Sequence, residues 1–269
     1  MSPARKNLVL KFGGAAVSSP ERFAEIAHLI KSKAKDGSAL VVVVSAMGDT
    51  TDELIALARK VHPSPPVREL DMLLSVGERV SISLLAMALN RVGLDAVSFT
   101  GSQSGIITSE AHTNAKILDV RPQRILKSLE QGKIAIVAGF QGMCLTTGDI
   151  TTLGRGGSDT TAVALAAALG SQHVEFFKDV EGIFDKDPKL NPDAQKFVDL
   201  NFAEALTITR AGAQVLQSRC IEIAERNSIP LWVLPFADVS QSPAKSLGTW
   251  IGRNETRPLE QHRQPAFEN

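Results

Sequence analysis

The 269-residue sequence has few cysteines, no net charge and no long apolar run. Its two cysteines, Cys144 and Cys220, are too few for a disulfide framework and lack C-x-x-C spacing, which is typical of a reducing cytoplasm. Because 29 basic side chains balance 29 acidic ones, no general attraction to nucleic acid or to an anionic membrane is expected. No uninterrupted apolar stretch approaches the roughly 20 residues that cross a bilayer. We therefore expect a cytoplasmic protein.

Common nucleotide-binding and metal-binding motifs are also missing. The sequence contains no G-x-x-x-x-G-K-[ST] and no G-x-G-x-x-G element, so neither a P-loop nor a classical dinucleotide fold is supported. The five histidines, at positions 28, 62, 112, 173 and 262, do not have the spacing of metal ligands. The acidic segment 179–189 does not match an EF-hand loop. No protein metal site is predicted.

Apolar runs alternate with helical patterns through almost the whole chain. Phe23, Ile26, Ala27 and Ile30 have the i, i+3, i+4, i+7 spacing of one helix face, and residues 216–224 repeat it. This order predicts an α/β fold with an open parallel sheet between two helical layers, whose ligands bind beyond the carboxyl ends of the strands. The predicted strands are Leu8 to Phe12, Leu40 to Val44, Leu94 to Phe99, Ile134 to Ala138, His173 to Phe177 and Leu231 to Leu234.

Two glycine- or hydroxyl-rich loops follow the first two predicted strands. In residues 11–14, KFGG, a lysine precedes bare backbone N–H groups that can approach a phosphate, although an ordinary turn with a surface lysine fits equally well. In residues 45–51, SAMGDTT, the hydroxyls suit a carboxylate or a phosphate. Taken alone, that second loop is better explained by Thr50 or Thr51 capping a helix that begins near Asp52.

Two further loops follow later in the chain. Residues 151–161, TTLGRGGSDTT, place three glycines and Arg155 before a helix, which predicts an anion site. Asp159 is also a candidate helix cap, but capping requires neither the glycines nor the arginine, so we favour the anion site. Residues 178–189, KDVEGIFDKDPK, have lysines for phosphates and an aromatic ring for a base. Without other context, they are better explained as a charged surface loop.

The order of these segments resembles the amino acid kinase family, and within it the aspartate kinases. The resemblance covers roughly residues 5 to 252 and includes LVLKFGGAAV, VVVVSAMGDTTDEL, RELDMLLSVGERVSISLLAMAL, GSQSGIITSEAHTNAKI, VAGFQG, TTLGRGGSDTTA and KDVEGIFDKDPK. It implies an αβα sandwich of the amino acid kinase (carbamate kinase-like) fold with a mainly parallel central sheet. One domain would span residues 1–252, with an aspartate-binding lobe to about residue 170, an ATP-binding lobe after it, and a flexible tail at 253–269.

The resemblance also implies a reaction and a set of site residues. An aspartate kinase transfers the γ-phosphate of ATP, with Mg²⁺, to the side-chain carboxylate of L-aspartate, the first step towards lysine, threonine and methionine. Lys11 and Asp159 would be catalytic, and Glu78 would meet the substrate ammonium rather than being a solvated helix residue. Arg155 would meet a carboxylate, completing an acceptor site of Ser45, Thr51, Glu78, Arg155 and Ser158. The ATP site would comprise Lys11, Phe12, Gly13, Gly14, Lys178, Asp179, Phe184, Lys189 and Gln214.

Some positions depart from the family pattern. Ala15 and Ala16 stand where Thr-Ser is usual, and Gln214 replaces a lysine expected to reach ATP. Ser102 stands where tryptophan is common, and Phe184 where tyrosine is usual, although phenylalanine can still stack. Ala15, Ala16 and Gln214 together leave open a catalytically weak paralogue that acts as a binding or regulatory partner. A same-fold kinase for another acid, such as a glutamate derivative or carbamate, is a further alternative.

The family's carboxyl-terminal regulatory domains have no counterpart in this sequence, since each would need about 50 or more residues beyond the core. Feedback inhibition by that route is therefore expected to be absent. Any homodimer is expected to form through the kinase domain.

Overall fold

The structure is a computed structural model that describes residues 6–35, 37–213, 215–236 and 248–252. The α-helices of the described residues are α1 (Pro20–Ala34), α2 (Thr50–Val61), α3 (Val67–Leu74), α4 (Val76–Arg91), α5 (Gln123–Glu130), α6 (Gly157–Leu169), α7 (Phe202–Arg210) and α8 (Ser218–Asn227). The strands are β1 (Asn7–Phe12), β2 (Ala39–Val44), β3 (Ala96–Phe99), β4 (Ile106–Thr108), β5 (Ile117–Val120), β6 (Ile134–Ala138), β7 (Gln141–Cys144), β8 (Ile150–Thr152), β9 (Val174–Lys178), β10 (Asp199–Leu200), β11 (Leu231–Pro235) and β12 (Thr249–Ile251).

The main sheet has eight strands in the order β10-β12-β11-β9-β1-β2-β6-β3. All neighbouring pairs are parallel except β11 and β12, which are antiparallel. β1 lies between β2 and β9, and Phe12 pairs with Val44 on one side and Phe177 on the other. The ends of these three strands therefore meet at one edge of the sheet, where each is followed by one of the loops singled out from the sequence.

Two helical layers cover this sheet. On one face, α1 and α4 pack over a core that includes Phe12, Phe23, Ile26 and Leu85. On the other face, α5, α6, α7 and α8 bury a second core. All six residues of β2 are buried, as expected for a parallel strand that is covered on both faces. The predicted αβα sandwich with a mainly parallel central sheet is confirmed.

The sequence pattern located the long strands better than the short elements. The six predicted strands match β1, β2, β3, β6, β9 and β11 with ends shifted by at most two residues, and the four predicted residues of the α1 face are buried.

The capping prediction at Thr50 or Thr51 is wrong, because both residues lie inside α2, which begins at Thr50. The 253–269 tail lies outside the described residues.

A second, smaller sheet in the order β5-β4-β7-β8 was not predicted. Its strands are three or four residues long and partly polar, so they carry little apolar signal. In this sheet, β8 pairs with β7 and ends at Thr152, immediately before the glycine-rich loop. The small sheet therefore fixes the entry of that loop.

The helical run Val67–Arg91 is the one run of the described residues that is long and apolar enough to cross a membrane by length and composition. It consists of α3 and α4, and 44% of its most apolar window is buried inside the structure. A buried core helix passes the same test, so this run is weak evidence for a membrane segment. Its contacts with α1 place α4 in the core.

Candidate functional site

Three charged side chains meet at the edge of the main sheet. Lys11 lies near the end of β1, Lys178 at the end of β9, and Asp159 in the first turn of α6. The Lys11 Nζ atom is 2.5 Å from Asp159 Oδ1, and the Lys178 Nζ atom is 2.8 Å from Asp159 Oδ2. Since Lys11 is only 3% exposed, it is not the surface lysine of an ordinary turn.

Burial and the neighbouring charges shift the pKa values of Lys11 and Asp159 in opposite directions. Burial lowers the pKa of Lys11 to about 8, although the attraction of Asp159 opposes the shift. Burial raises the pKa of Asp159, but Lys11 and Lys178 outweigh that effect and hold it below its ordinary value. With Lys11 protonated, two cations surround one anion, and the cluster keeps a net positive charge suited to a phosphate.

The glycine-rich loop presents the start of α6 to this cluster. Gly154 and Gly156 have left-handed backbones with φ of 74° and 70°, and a Cβ at Gly156 would overlap the Gln217 side chain. Residue 156 therefore requires glycine for two reasons. The predicted alternative that Asp159 is a helix cap is wrong: the N-cap is Gly156, and the Asp159 side chain pairs with the two lysines.

A cavity of about 430 Å³ opens beside the charged cluster. All five residues of the predicted acceptor site line it, together with Gly14 from the first loop. The structure therefore brings the predicted acceptor residues together. The complete lining is Gly14, Ser45, Ala46, Gly48, Thr51, Asp52, Ile55, Leu70, Leu74, Glu78, Thr113, Phe140, Thr152, Gly154, Arg155, Gly156, Gly157 and Ser158.

Glu78 supplies a buried carboxylate to the cavity. It lies in the first turn of α4 and is 3% exposed, so it is not a solvated helix residue. Its Oε1 atom accepts a hydrogen bond from the Ala46 N–H at 3.1 Å, whereas its buried Oε2 atom has no hydrogen-bond partner among the described residues. Burial raises the pKa of Glu78 to about 7. An unpaired buried carboxylate oxygen beside a cavity suits a cationic ligand group.

The remaining acceptor residues lie around Glu78. The Ser45 and Ser158 hydroxyls are 2.7 Å apart, which joins the end of β2 to the start of α6. Thr51 lies in the first turn of α2, and Arg155 is exposed in the glycine-rich loop. A buried carboxylate and an accessible guanidinium thus share one cavity, as recognition of a zwitterionic ligand requires.

Only some of the residues predicted to bind ATP lie at the charged cluster. Lys11, Lys178 and Gly13 cluster, since a Cβ at Gly13 would lie 3.7 Å from the Lys11 Nζ atom. The Phe12 ring instead stacks on Phe177 at 4.7 Å in the core, so only its backbone can reach a ligand. In the 178–189 loop, Asp179 and Lys189 are exposed and Phe184 is half-buried. Gln214 lies outside the described residues.

Three other positions that depart from the family pattern lie near the first loop or in the turn before β4. Ala15 is exposed and Ala16 is buried in the short 3-10 helix Gly14–Val17. Ser102 lies 3.1 Å from the Thr100 hydroxyl in the turn before β4. Neither Ala15, Ala16 nor Ser102 lines the cavity.

Sequence reasoning gave no role to several cavity residues, among them Thr113 and Phe140. Thr113 and Phe140 have left-handed backbones, with φ of 64° and 66°, which is rare for residues other than glycine. Such backbones cluster at functional sites, where surrounding contacts stabilise them. Sequence gives no signal for this, although Thr113 and Phe140 lie in two of the segments that resemble the family.

A protein-family model described as the amino acid kinase family matches residues 6–235. The chain belongs to the amino acid kinase family. It is 53% identical over 226 residues to an aspartokinase from Mycobacterium tuberculosis, which covers 84% of this chain and 54% of that protein. The chain therefore spans about half the length of the curated relatives it matches.

Two solved structures of aspartate kinases also resemble this chain in fold and in sequence. An aspartate kinase from Synechocystis superposes with a TM-score of 0.82 at 43% identity, covering 97% of this chain and 41% of that one. E. coli aspartokinase III, solved in complex with aspartate and ADP, superposes with a TM-score of 0.80 at 25% identity, covering 94% of this chain and 66% of that one. The family resemblance and fold expected from the sequence are confirmed.

Proposed function

We propose that this chain transfers the γ-phosphate of ATP to the side-chain carboxylate of L-aspartate, giving 4-phospho-L-aspartate. The observation that carries the proposal is the unpaired Glu78 Oε2 atom, buried beside the cavity that Arg155 also lines. The similarity to aspartokinases, one of them solved with aspartate and ADP, supports this acceptor and this nucleotide.

The acceptor binds by charge at both ends. Its ammonium group lies against Glu78 and its α-carboxylate against Arg155, while the hydroxyls of Ser45, Thr51 and Ser158 donate to the remaining oxygens. An ammonium beside Glu78 satisfies the Oε2 atom and favours the ionised carboxylate. The acceptor therefore removes an electrostatic penalty that the empty site carries.

The phosphates bind at the charged cluster. Lys11 and Lys178 neutralise their charge, and the Gly13–Gly14 backbone and the start of α6 provide N–H donors. Mg²⁺ arrives as part of the ATP substrate, since proteins usually hold it through substrate phosphates. Asp159 keeps the two lysines 2.5 and 2.8 Å from one carboxylate and so presents both to the same phosphate.

The reaction then needs alignment more than activation. The acceptor carboxylate is ionised at neutral pH, given an ordinary pKa of about 4, so no general base is required. One of its oxygens attacks the γ-phosphorus, the bond to the β,γ-bridging oxygen breaks, and ADP leaves with that electron pair. Lys11 and Lys178 stabilise the charge on the transferring phosphoryl group, which is the main catalytic device for this reaction class.

The test is ATP consumption with Mg²⁺ and L-aspartate, with hydroxylamine to trap the acyl phosphate. Hydroxamate that depends on aspartate, and is absent with glutamate or N-acetylglutamate, is the expected result. Glu78→Gln should remove it, while Glu25→Gln, an exposed substitution on α1, should not. Product with another acid alone would replace aspartate as the acceptor, and no product with any acid would favour a binding or regulatory role.

A further inference from the structure

Asp71 is a completely buried carboxylate that lies in α3, behind the cavity wall. Its Oδ1 atom accepts a hydrogen bond from the Thr152 hydroxyl at 2.5 Å, and its Oδ2 atom lies 2.7 Å from His112 Nδ1. The Thr113 N–H is 3.1 Å from both oxygens. Asp71 does not line the cavity itself, so it has no direct role in the proposed reaction.

Two of the three residues that the Asp71 carboxylate binds line the cavity. Thr113 and Thr152 belong to two separate segments of its wall, and Thr152 lies three residues before Arg155. The left-handed backbone of Thr113 places its N–H towards Asp71, and this contact helps to stabilise that backbone. One buried carboxylate thus joins α3 to the strand that leads into the Arg155 loop.

The other side of the same wall carries Glu78. The Ser75 N–H donates to the Asp71 carbonyl at 3.0 Å, and α4 begins at the next residue, so Glu78 follows within one turn. The Gln141 side chain donates to the Ser75 carbonyl at 2.9 Å and ties this junction to β7. Asp71 therefore lies between the segment that carries Glu78 and the segment that carries Arg155.

A second set of contacts reinforces this connection. His112 Nε2 is 4.0 Å from Asp149 Oδ2, in the turn before β8, and the Arg68 Nε–H donates to Asp149 Oδ1 at 3.1 Å. Asp71, His112, Asp149 and Arg68 thus form a chain of contacts that connects α3 to the β7–β8 hairpin. Only the Asp71 end of this network is completely buried. Removing the Asp71 carboxylate leaves buried donors without acceptors, which favours displacement of the segments that carry them.

We propose that Asp71 is a positioning residue that fixes the separation of Glu78 and Arg155 and thereby selects the length of the acceptor acid. This inference rests on the proposed function and deepens it. Aspartate and glutamate differ by one methylene group, and such a difference is discriminated weakly by contact alone. A wall that cannot move to admit the longer acid adds discrimination, because a misplacement of about 1 Å can change turnover by roughly a hundredfold.

The test compares Asp71→Asn with Thr151→Val. Thr151 is a matched control because it is also completely buried, lies next to Thr152 on β8, and pairs with the Thr108 hydroxyl at 2.5 Å without lining the cavity. Both substitutions disturb a buried hydrogen bond of the small sheet, but only Asp71→Asn disturbs the link between the two binding groups. Steady-state kinetics with aspartate, glutamate and ATP, and amide hydrogen exchange at residues 112–114 and 152–156, are measured for each.

For Asp71→Asn we expect kcat/KM for aspartate to fall roughly ten- to a hundredfold, the preference for aspartate over glutamate to fall, and the KM for ATP to stay within about twofold. The Thr113 amide should exchange faster, because an asparagine side chain is a weaker acceptor in this place. Thr151→Val should leave the acid preference and the exchange of residues 112–114 unchanged.

If Asp71→Asn does not fold, Thr152→Val and Thr152→Ser provide the same comparison, because serine keeps the hydroxyl that donates to Asp71 and should restore the aspartate preference. Equal kinetics and equal exchange for Asp71→Asn and Thr151→Val would overturn the inference. A wild-type protein that phosphorylates no acid would refute the proposed function alone. In that case the exchange at residues 112–114 and 152–156 still decides whether Asp71 positions the wall.

Discussion

The acceptor side of the site and the 178–189 loop differ in how firmly the fold holds them. On the acceptor side, Glu78 and Ser158 are buried, and so is Asp159 in the neighbouring charged cluster. In the 178–189 loop, Asp179 and Lys189 are exposed. The acceptor side is therefore organised before any ligand binds, whereas much of the predicted nucleotide contact comes from exposed side chains.

This difference separates two kinds of contribution to catalysis. Buried charges that are fixed in advance need no reorganisation when the phosphoryl group moves, so their loss reduces turnover strongly. Exposed side chains retain conformational freedom that binding must remove, so their loss mainly weakens nucleotide affinity. Substitutions in the two regions should therefore have unequal effects, on different kinetic constants.

The largest effect is expected for Asp159→Asn. It leaves the Lys11 and Lys178 ammonium groups next to each other without their shared counter-ion, and breaking a buried ion pair typically costs about 3–5 kcal/mol. Turnover should fall by at least about a hundredfold. Because Asp159 raises the pKa of Lys11, its loss should move the alkaline limb of kcat/KM for ATP from about pH 8 to lower pH. Steady-state kinetics between pH 6 and 9 provide the measurement.

The control for this prediction is Asp95→Asn, which removes an exposed carboxylate that lies 3.9 Å from Lys133. Asp95 directly precedes β3, so it lies at the opposite edge of the parallel sheet from the cluster. It should leave turnover, stability and the pH profile unchanged. A wild-type pH profile in Asp159→Asn would show that Asp159 does not set the charge of Lys11.

Glu78→Gln should separate function from stability. The pKa of Glu78 is raised from 4.5 to about 7, so the stability contributed by its neutral form is present below about pH 4.5 and lost as the pH rises through about 7. At pH 8 the ionised carboxylate therefore destabilises the free protein by about 3 kcal/mol. The substitution should increase the free energy of unfolding at pH 8, lose that gain towards pH 4.5, and remove aspartate-dependent turnover.

Denaturant unfolding at pH 5 and 8 tests the stability part, and the KM for aspartate against pH tests the binding part. In the wild type, this KM should fall as the pH rises through about 7, because the ionised Glu78 binds the ammonium group. Lower stability of Glu78→Gln at pH 8, together with retained turnover, would contradict the proposed role.

The long strands could be predicted from sequence because their signal is local. β2 is a continuous apolar run, and β6 was located with its correct ends, since a strand buried on both faces needs apolar residues at every position. The small sheet could not be found this way, because its strands are short and partly polar and carry no continuous apolar run. Its β4 pairs with β7 although more than thirty residues separate them.

Within the site, too, some residues had a signal in the sequence and others did not. The lysine, glycine and glutamate positions were predicted because they lie in segments that resemble the family, and the structure brings the acceptor residues around one cavity. Asp71 also lies in such a segment, but it was given no role there, since an aspartate in an amphipathic helix is usually a solvated residue. It is buried only because Thr152 and His112, distant in sequence, supply its hydrogen bonds.

The smallest effects are expected in the 178–189 loop. Phe184 is half-buried, its backbone pairs through an isolated antiparallel bridge with Lys196, and it is the aromatic residue of this loop, so it is the loop's candidate for stacking on an adenine base. Phe184→Ala should raise the KM for ATP about tenfold, since stacking of a base on an aromatic ring contributes about 1–3 kcal/mol. Lys189→Ala should raise it only a few-fold, because exposed charges contribute about 0–1 kcal/mol. The KM for aspartate should not change in either variant.

Leu190→Ala is the matched control, because Leu190 is 78% exposed and follows Lys189 in the same loop. It should leave both Michaelis constants at wild-type values. If Phe184→Ala instead weakens aspartate binding as much as ATP binding, the loop also supports the acceptor side. The two regions would then form one cooperative unit, and the contrast between a fixed acceptor side and an exposed nucleotide loop would be wrong.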